Sequence, residues 1–445
     1  MRTGGWYGDR KLALDFPEDW ELAVFWPLTP PPLSARQIAT ALEQPVAQQR
    51  IRELCRGKKR PLVIVDDLVR PTPASCAMPF LLREFQDAGI HLSDVTVMVA
   101  TGTHAGPTRE EVEKKIGPQA AEACRLLVHD HKGDAVNVGR TSFGTPVLVD
   151  KAVTRGDFLV GIGGVYPNYS GGFGGGSKLA LGVLGTRSIV HLHYKHDHPG
   201  WGTSGIGTNF RKDLDEIAEA IGLTTMITIH LDANREPVRM VCGDPRVYYA
   251  EAEAISRRYY RSPMPGGADV VIANAYPTDA TLQFAHMKGT TPLHRAAPNA
   301  SRVLLASCRG GVSNHGLFSL LNPPAKYRNQ LRRISTQSFG ENIRFAFRKL
   351  QRGVRARRPG TVVRPNRHPI WLYQTDPESQ DLPPVPGLNV SRSWDQIVEN
   401  IAREQRDRRY LKVAIYPCAA MQFLDPTMSC NEVSTSTDIL EGIKP

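Results

Sequence analysis

One stretch, NYSGGFGGGSKLALGVLGTRSIVHLHYKHDHPGW from Asn168 to Trp201, sets a glycine-rich run, one lysine and four histidines side by side. Gly171, Gly172, Gly174, Gly175 and Gly176 carry no Cβ, so their backbone amides can come close to an anion. Lys178 ends the run but is followed by Leu179, so the hydroxyl that holds magnesium in a GxxxxGK[ST] phosphate loop is missing. Nor is the run a well-formed dinucleotide fingerprint, and a flexible glycine loop explains it as well. His191, His193, His196 and His198 could ligate zinc, nickel or copper, which all suit imidazole. One ligand with three bystanders fits that spacing as well as a cluster does.

Three further loops carry residue types that do chemistry. In DDLVRPTPA, Asp66 and Asp67 leave a strand end, and Arg70 sits in a loop stiffened by Pro71 and Pro73. A guanidinium held in a fixed direction clamps a carboxylate or phosphate, although an Arg–Asp pair bracing a turn reads the same. In ATGTHAGPTREE, Gly102 permits a sharp turn and His104 lies at its tip. An imidazole there, with an ordinary pKa of about 6.5, could be a general base or a hydrogen-bonded surface residue. YPTDATLQFAHMKGT supplies Asp279, Gln283, His286 and Lys288, none of them distinctive alone.

The elements that position these loops are legible as near-continuous apolar runs. They lie at 61–67, 95–100, 157–164, 226–232, 269–275, 302–307 and 411–417, and such runs predict strands covered on both faces. Helix patterns such as TREEVEKKIG and RKDLDEIAEAIGL alternate with them, the first opening on a threonine followed by acidic residues. The alternation predicts an α/β chain of two lobes with mainly parallel sheets. Ligands of such sheets gather at the carboxyl ends of strands, where these loops fall, so the active site is expected in the cleft between the lobes. The Pro/Gly-rich SPMPGGAD places the division near 264, giving an N-terminal domain over 1–264 and a C-terminal domain over 265–445.

Composition bounds the remaining possibilities. A chain of 445 residues with 41% hydrophobic and 22% charged residues buries a real core and is not a disordered chain. Seven scattered cysteines, never spaced CxxC, argue against a disulfide framework and a structural zinc site. The first residues lack a signal-peptide pattern and no apolar run reaches membrane-spanning length, so a cytoplasmic enzyme with no membrane partner is expected. Much of the net charge of +11 sits in the arginine-rich segment 326–359. That segment carries no recognised nucleic-acid motif and reads as a solvated helical face rather than a nucleic-acid site.

Taken in order, DDLVRPTP, TGTH, GGFGGGSK, a downstream histidine, TNFRKDLDEIAEAIGL, GDP and MKG resemble the nickel-dependent lactate racemase family over most of the chain. The resemblance implies a nickel-pincer nucleotide, a pyridinium-3,5-bisthiocarboxylic acid mononucleotide, joined as a thioamide to Lys178. It implies His193 as the nickel ligand, with His191 the second choice. Asp67, Thr72, Gly172, Gly174, Gly175 and Gly176 would contact the cofactor, the glycines around its phosphate. His104 matches a catalytic base, Arg70 the clamp on the substrate carboxylate, and Lys288 a catalytic and substrate-binding lysine of the second lobe. The implied reaction inverts C2 of a 2-hydroxy acid by reversible hydride transfer through a planar 2-keto acid. The implied partners are the enzymes that make the cofactor, and a homodimer is compatible with the sequence.

Two positions depart from the family pattern. Asn168 stands where a second catalytic histidine is expected, and an amide cannot take a proton near neutral pH. Ala285 stands where a glutamine contacts substrate, which points to room for an acid larger than lactate. The changes also leave open a catalytically altered homologue that only binds cofactor or metabolite.

Overall fold

The computed structural model describes residues 1–313, 315–317, 320 and 367–428, with isolated positions between 334 and 350. In it, the apolar runs become the central strands of two six-stranded sheets. The chain first makes β1 (Trp20–Val24), which belongs to the second sheet, and then builds the first. That first sheet contains β2 (Pro61–Asp66), β3 (Thr96–Ala100), β4 (Arg125–Val128), β5 (Phe158–Gly164), β6 (Thr225–Leu231) and β7 (Pro237–Gly243). Its order is β7-β6-β5-β2-β3-β4, parallel throughout except for antiparallel β7.

The second sheet contains β8 (Val270–Asn274), β9 (Ser301–Ala306), β10 (Ile370–Gln374), β11 (Leu388–Ser391), β12 (Leu411–Tyr416) and β1. Its order is β11-β10-β9-β8-β12-β1, and every pairing is parallel. The linker read at 262–269 separates the strands of the two sheets, apart from β1, which pairs Trp20 with Leu411 in the second lobe.

Strand alternation explains why the runs are apolar on both faces. Along β2, Val63 and Val65 enter one core cluster while Leu62 and Ile64 enter another on the opposite face. The first cluster is covered by α1 (Met78–Asp87) through Leu81, Leu82 and Phe85, and by α5 (Pro245–Tyr260) through Tyr248, Ala252 and Tyr259. The second is covered by α3 (Thr186–Lys195) and α4 (Asn209–Ala220) through Ile189, Phe210, Leu214 and Ile217. Each such fully buried side chain stabilises by about 1.5–3 kcal/mol. The helix read in TREEVEKKIG is α2 (Arg109–Ile116), started by a complete Thr108–Glu111 capping box. Cys418, Met421 and Phe423 of the second lobe belong to the first lobe's main cluster, so the lobes share packed apolar surface.

No helix among the described residues is long and apolar enough to cross a membrane. The arginine-rich segment lies almost wholly outside the described residues.

Candidate active site

The loop after β2 and the loop after β3 meet at a carboxylate–imidazole pair. The Nδ1–H of His104 donates to Asp67 Oδ2 at 2.5 Å. A carboxylate can only accept, so this bond puts the hydrogen on Nδ1 and the lone pair on Nε2, the arrangement of a general base. Burial pushes the His104 pKa down while Asp67 works against that, and the net position is below the usual 6.5. Asp67 is pushed up by burial, but His104, Arg70 and Lys115 together pull it below the usual carboxylate value.

The pair is braced from beneath by Lys115 of α2. Its fully buried ammonium pairs with Asp66 and donates to the backbone carbonyls of Asp67 (3.2 Å) and Arg70 (3.4 Å). Asp66 Oδ2 also accepts from the Thr72 hydroxyl (2.8 Å), and Tyr166 lies 3.1 Å from that hydroxyl. Because the Thr72 hydrogen goes to Asp66, Tyr166 is the donor in the second contact. Burial raises the Tyr166 pKa well above 10, so this phenol is no stand-in base.

The glycine loop after β5 is shaped first by its own packing. Gly172 has φ +71, and a Cβ there would overlap the Thr203 carbonyl. Gly175 and Gly176 lie against Gly164 and Tyr249. Arg211 of α4 holds the loop by donating to the carbonyls of Gly175 and Phe173, both at 2.9 Å. Gly174 is different: it lines the cleft, and a Cβ on it would meet nothing nearer than 3.7 Å. Lys178 follows in a 3-10 helix, Gly176–Val183. Burial, then Arg70 and Arg211, lower its pKa to about 7, so a large share of this amine is neutral and nucleophilic near pH 7.

The four histidines separate cleanly. His193 donates Nδ1–H to the Ile189 carbonyl at 2.8 Å, which leaves its lone pair on Nε2. Burial and then Lys178 lower its pKa to about 3, keeping it neutral beside the lysine. His191 contacts Thr145 Oγ1 (3.1 Å), whose hydroxyl donates to Asp213 (2.6 Å). His196 Nε2 reaches the same Asp213 at 2.7 Å. Two residues from His193 on α3, His191 thus joins a buried network with His196. His198 sits between the Ser170 and His193 carbonyls, at 3.1 and 2.9 Å.

Arg70, Asn168 and Lys288 line one interlobe cleft. Lys288, on α6 (Leu282–Gly289), donates to the Val69 carbonyl at 2.6 Å. Burial and then Arg70 lower its pKa well below 10.5. The Oδ1 of Asn168 accepts from the Ser170 and Gly171 amides at 3.0 and 3.1 Å, so this side chain shapes the turn that enters the glycine loop. Ala285 is a correction: it is fully buried in the second lobe's core cluster and does not line the cleft, so it provides no extra room for substrate. Gln283 accepts from the Leu320 amide at 2.8 Å and braces a neighbouring loop.

Three participants escaped the sequence reading. Lys115 had a signal, since it shares the i, i+3, i+4 stripe of Val112 and Ile116 on α2. Arg211 lay within the quoted TNFRKDLDEIAEAIGL motif but had no assigned role. His315 of the second lobe, whose ring centroid is 4.7 Å from that of His104, had no signal beyond being a histidine.

A buried carboxylate–imidazole pair thus stands at the carboxyl ends of parallel strands in an α/β fold that also has an interlobe cleft lined by Arg70 and Lys288. Residues 7–203 match the family described as the lactate racemase N-terminal domain. The lactate racemase of Thermoanaerobacterium thermosaccharolyticum is 25% identical over 351 residues, 76% of this chain and 82% of that one. The lactate racemase of Lactiplantibacillus plantarum is 24% identical over 290 residues, 63% of this chain and 68% of that one. Among solved structures, the Thermoanaerobacterium thermosaccharolyticum lactate racemase apoprotein aligns with a TM-score of 0.67 at 20% identity, covering 96% of this chain and all of that one. A Thermotoga maritima protein aligns with a TM-score of 0.56 at 15% identity, covering 89% and 99%. The chain is similar to lactate racemases over most of its length, and this likeness supports an isomerase.

Proposed function

We propose that this protein inverts the C2 centre of a 2-hydroxy acid, using a nickel-pincer nucleotide tethered to Lys178. The observation that carries the reading is the Asp67–His104 pair, set beside the basic side chains Arg70, Lys178 and Lys288. The residues fit the cofactor in three respects. Lys178 is an amine with a pKa near 7, suited to forming a thioamide. His193 keeps its lone pair on Nε2, and Gly174 leaves open the cleft wall that a side chain would fill.

When bound, the group would supply a reversible acceptor for the C2 hydride, taking the substrate through a planar 2-keto acid open to return on either face. The chain's own residues do the rest. His104 Nε2 takes the hydroxyl proton and returns it, while Asp67 stabilises the imidazolium in between. Arg70 pairs with the carboxylate, and Lys288 adds positive field in a site of low dielectric. Asn168, with its oxygen held by two amides, is assigned to loop shape, not proton transfer.

The same Asn168 motivates the second reading, a protein that holds cofactor or metabolite without turnover. Co-expression with the cofactor-synthesis enzymes separates the two. We expect a mass adduct on Lys178, about one nickel per chain, and isomerisation of at least one enantiopure acid from a panel running from lactate to phenyllactate. Nickel without turnover supports the second reading. A Lys178→Ala protein that still loads nickel and isomerises would overturn the tether.

A further inference from the structure

The second lobe brings an imidazole to the site that the mechanism above leaves unused. The segment after β9 is pinned to α6, where Leu282 and Gln283 donate their amides to Gly311 and Val312 at 2.9 and 3.0 Å. It then crosses to the first lobe. His315 makes a β-bridge with His104, and the Gly316 amide donates to the Thr103 carbonyl at 2.9 Å. His315 is 9% exposed, and its ring lies 4.7 Å from the His104 ring and 5.8 Å from Phe284, centroid to centroid.

The two imidazoles are oriented by partners of opposite type. His104 Nδ1 faces a carboxylate, so its Nε2 carries a lone pair. His315 Nδ1 lies 3.2 Å from the Leu317 backbone amide, which can only donate. Nδ1 of His315 therefore holds the lone pair and its Nε2 holds the hydrogen. The same N–H opposes a second proton on Nδ1. Burial and then His104 act in the same direction, placing the His315 pKa well below 6.5. A hydroxyl is at once a donor and an acceptor, and a neutral acceptor imidazole beside a neutral donor imidazole matches both of its needs.

We propose that His315 is a catalytic residue, donating its Nε2–H to the C2 oxygen of the 2-hydroxy acid while His104 Nε2 takes that oxygen's proton. This rests on the function proposed above. As the oxygen gains negative charge the donor bond strengthens, so its contribution appears in the transition state rather than in substrate binding. It also gives the second lobe, which lends a lysine from α6, a direct part at the reacting carbon.

The test uses the cofactor-loaded enzyme and two variants. His315→Phe keeps a ring but removes the donor, whereas His315→Gln keeps an N–H near the position of Nε2. The expected result is a fall in kcat of about a hundredfold for the Phe variant, with KM nearly unchanged, and a much smaller loss for the Gln variant. The reverse ranking, with Phe active and Gln impaired, would show a packing role and overturn the proposal. Histidine-selective ¹⁵N NMR of the unmodified protein, assigned with the Gln variant, should show a neutral Nε2–H ring, and an Nδ1–H ring would also overturn it. A loaded wild type that isomerises no acid of the panel defeats the function itself and this inference with it. Turnover by wild type and Phe variant alike defeats only the role of His315.

Discussion

Replacing Asp67 with asparagine removes one negative charge and almost no volume from the centre of the site. Asp67 is 4% exposed and receives the His104 Nδ1–H at 2.5 Å, so the bond is charge-assisted and screened little by water. A hydrogen bond to a charged group contributes about 1.5–3 kcal/mol. Losing it when the imidazole becomes cationic should lower kcat by about 10- to 150-fold, at 1.36 kcal/mol per tenfold. The pH profile should move as well, in a direction the structure dictates. Burial depresses the His104 pKa and Asp67 counteracts that. Without the carboxylate the pKa falls further, so the acid limb of kcat/KM, where the base becomes protonated, shifts to lower pH even as the plateau drops. The assay is chiral chromatography of the turned-over acid between pH 4 and 9, normalised to bound nickel. A variant with an unchanged plateau, or with its acid limb moved to higher pH, would refute the assignment of His104 and Asp67 as a base and its support.

Three further outcomes test the glycine loop and Lys178 without relying on turnover. Gly174→Ala should leave the stability of the cofactor-free protein within about 0.5 kcal/mol of wild type while nickel loading falls, since its Cβ meets nothing nearer than 3.7 Å. Gly172→Ala, at φ +71 against the Thr203 carbonyl, should instead lower the melting temperature, by strain of about 1–3 kcal/mol or more. Pulse acetylation of the cofactor-free protein, read by peptide mass spectrometry, should modify Lys178 with a midpoint near pH 7, matching its lowered pKa. A midpoint near 10.5 would remove the argument that the amine is prepared for acylation.

What the sequence revealed of the fold was its interior. All seven apolar runs are strands, whereas β1, β4, β7 and β11 are the four sheet edges and none of them was read. Edge strands are covered less completely, so their sequences mix in polar residues: β1 alternates buried Trp20 with exposed Glu21, and Arg125 of β4 is exposed. The remaining unread strand of the two six-stranded sheets, β10, also alternates buried and half-buried residues. At the site, loops that follow a readable strand were found because a strand end announces them. Lys115 was missed because a lysine in a charged helix is ordinarily solvated, and only its place on the apolar stripe marks it as buried. His315 could not be found, because its role depends on a bridge to His104, which lies 211 positions earlier in the chain. Ala285 was misread for the complementary reason: a change in residue type says nothing about which way the position faces.

The pairing of β1 bears on how the molecule comes to exist. Its neighbour in the sheet is β12, the last strand of that sheet to be synthesised, nearly four hundred residues later. While the first lobe assembles from contiguous sequence, Trp20, Leu22 and Val24 wait with their backbone donors and acceptors unmatched. A strand in that state is a template for a stray strand of another chain. Closing the second sheet is therefore a late, long-range event, and nascent chains stalled before residue 411 should be the form of this protein most prone to aggregate.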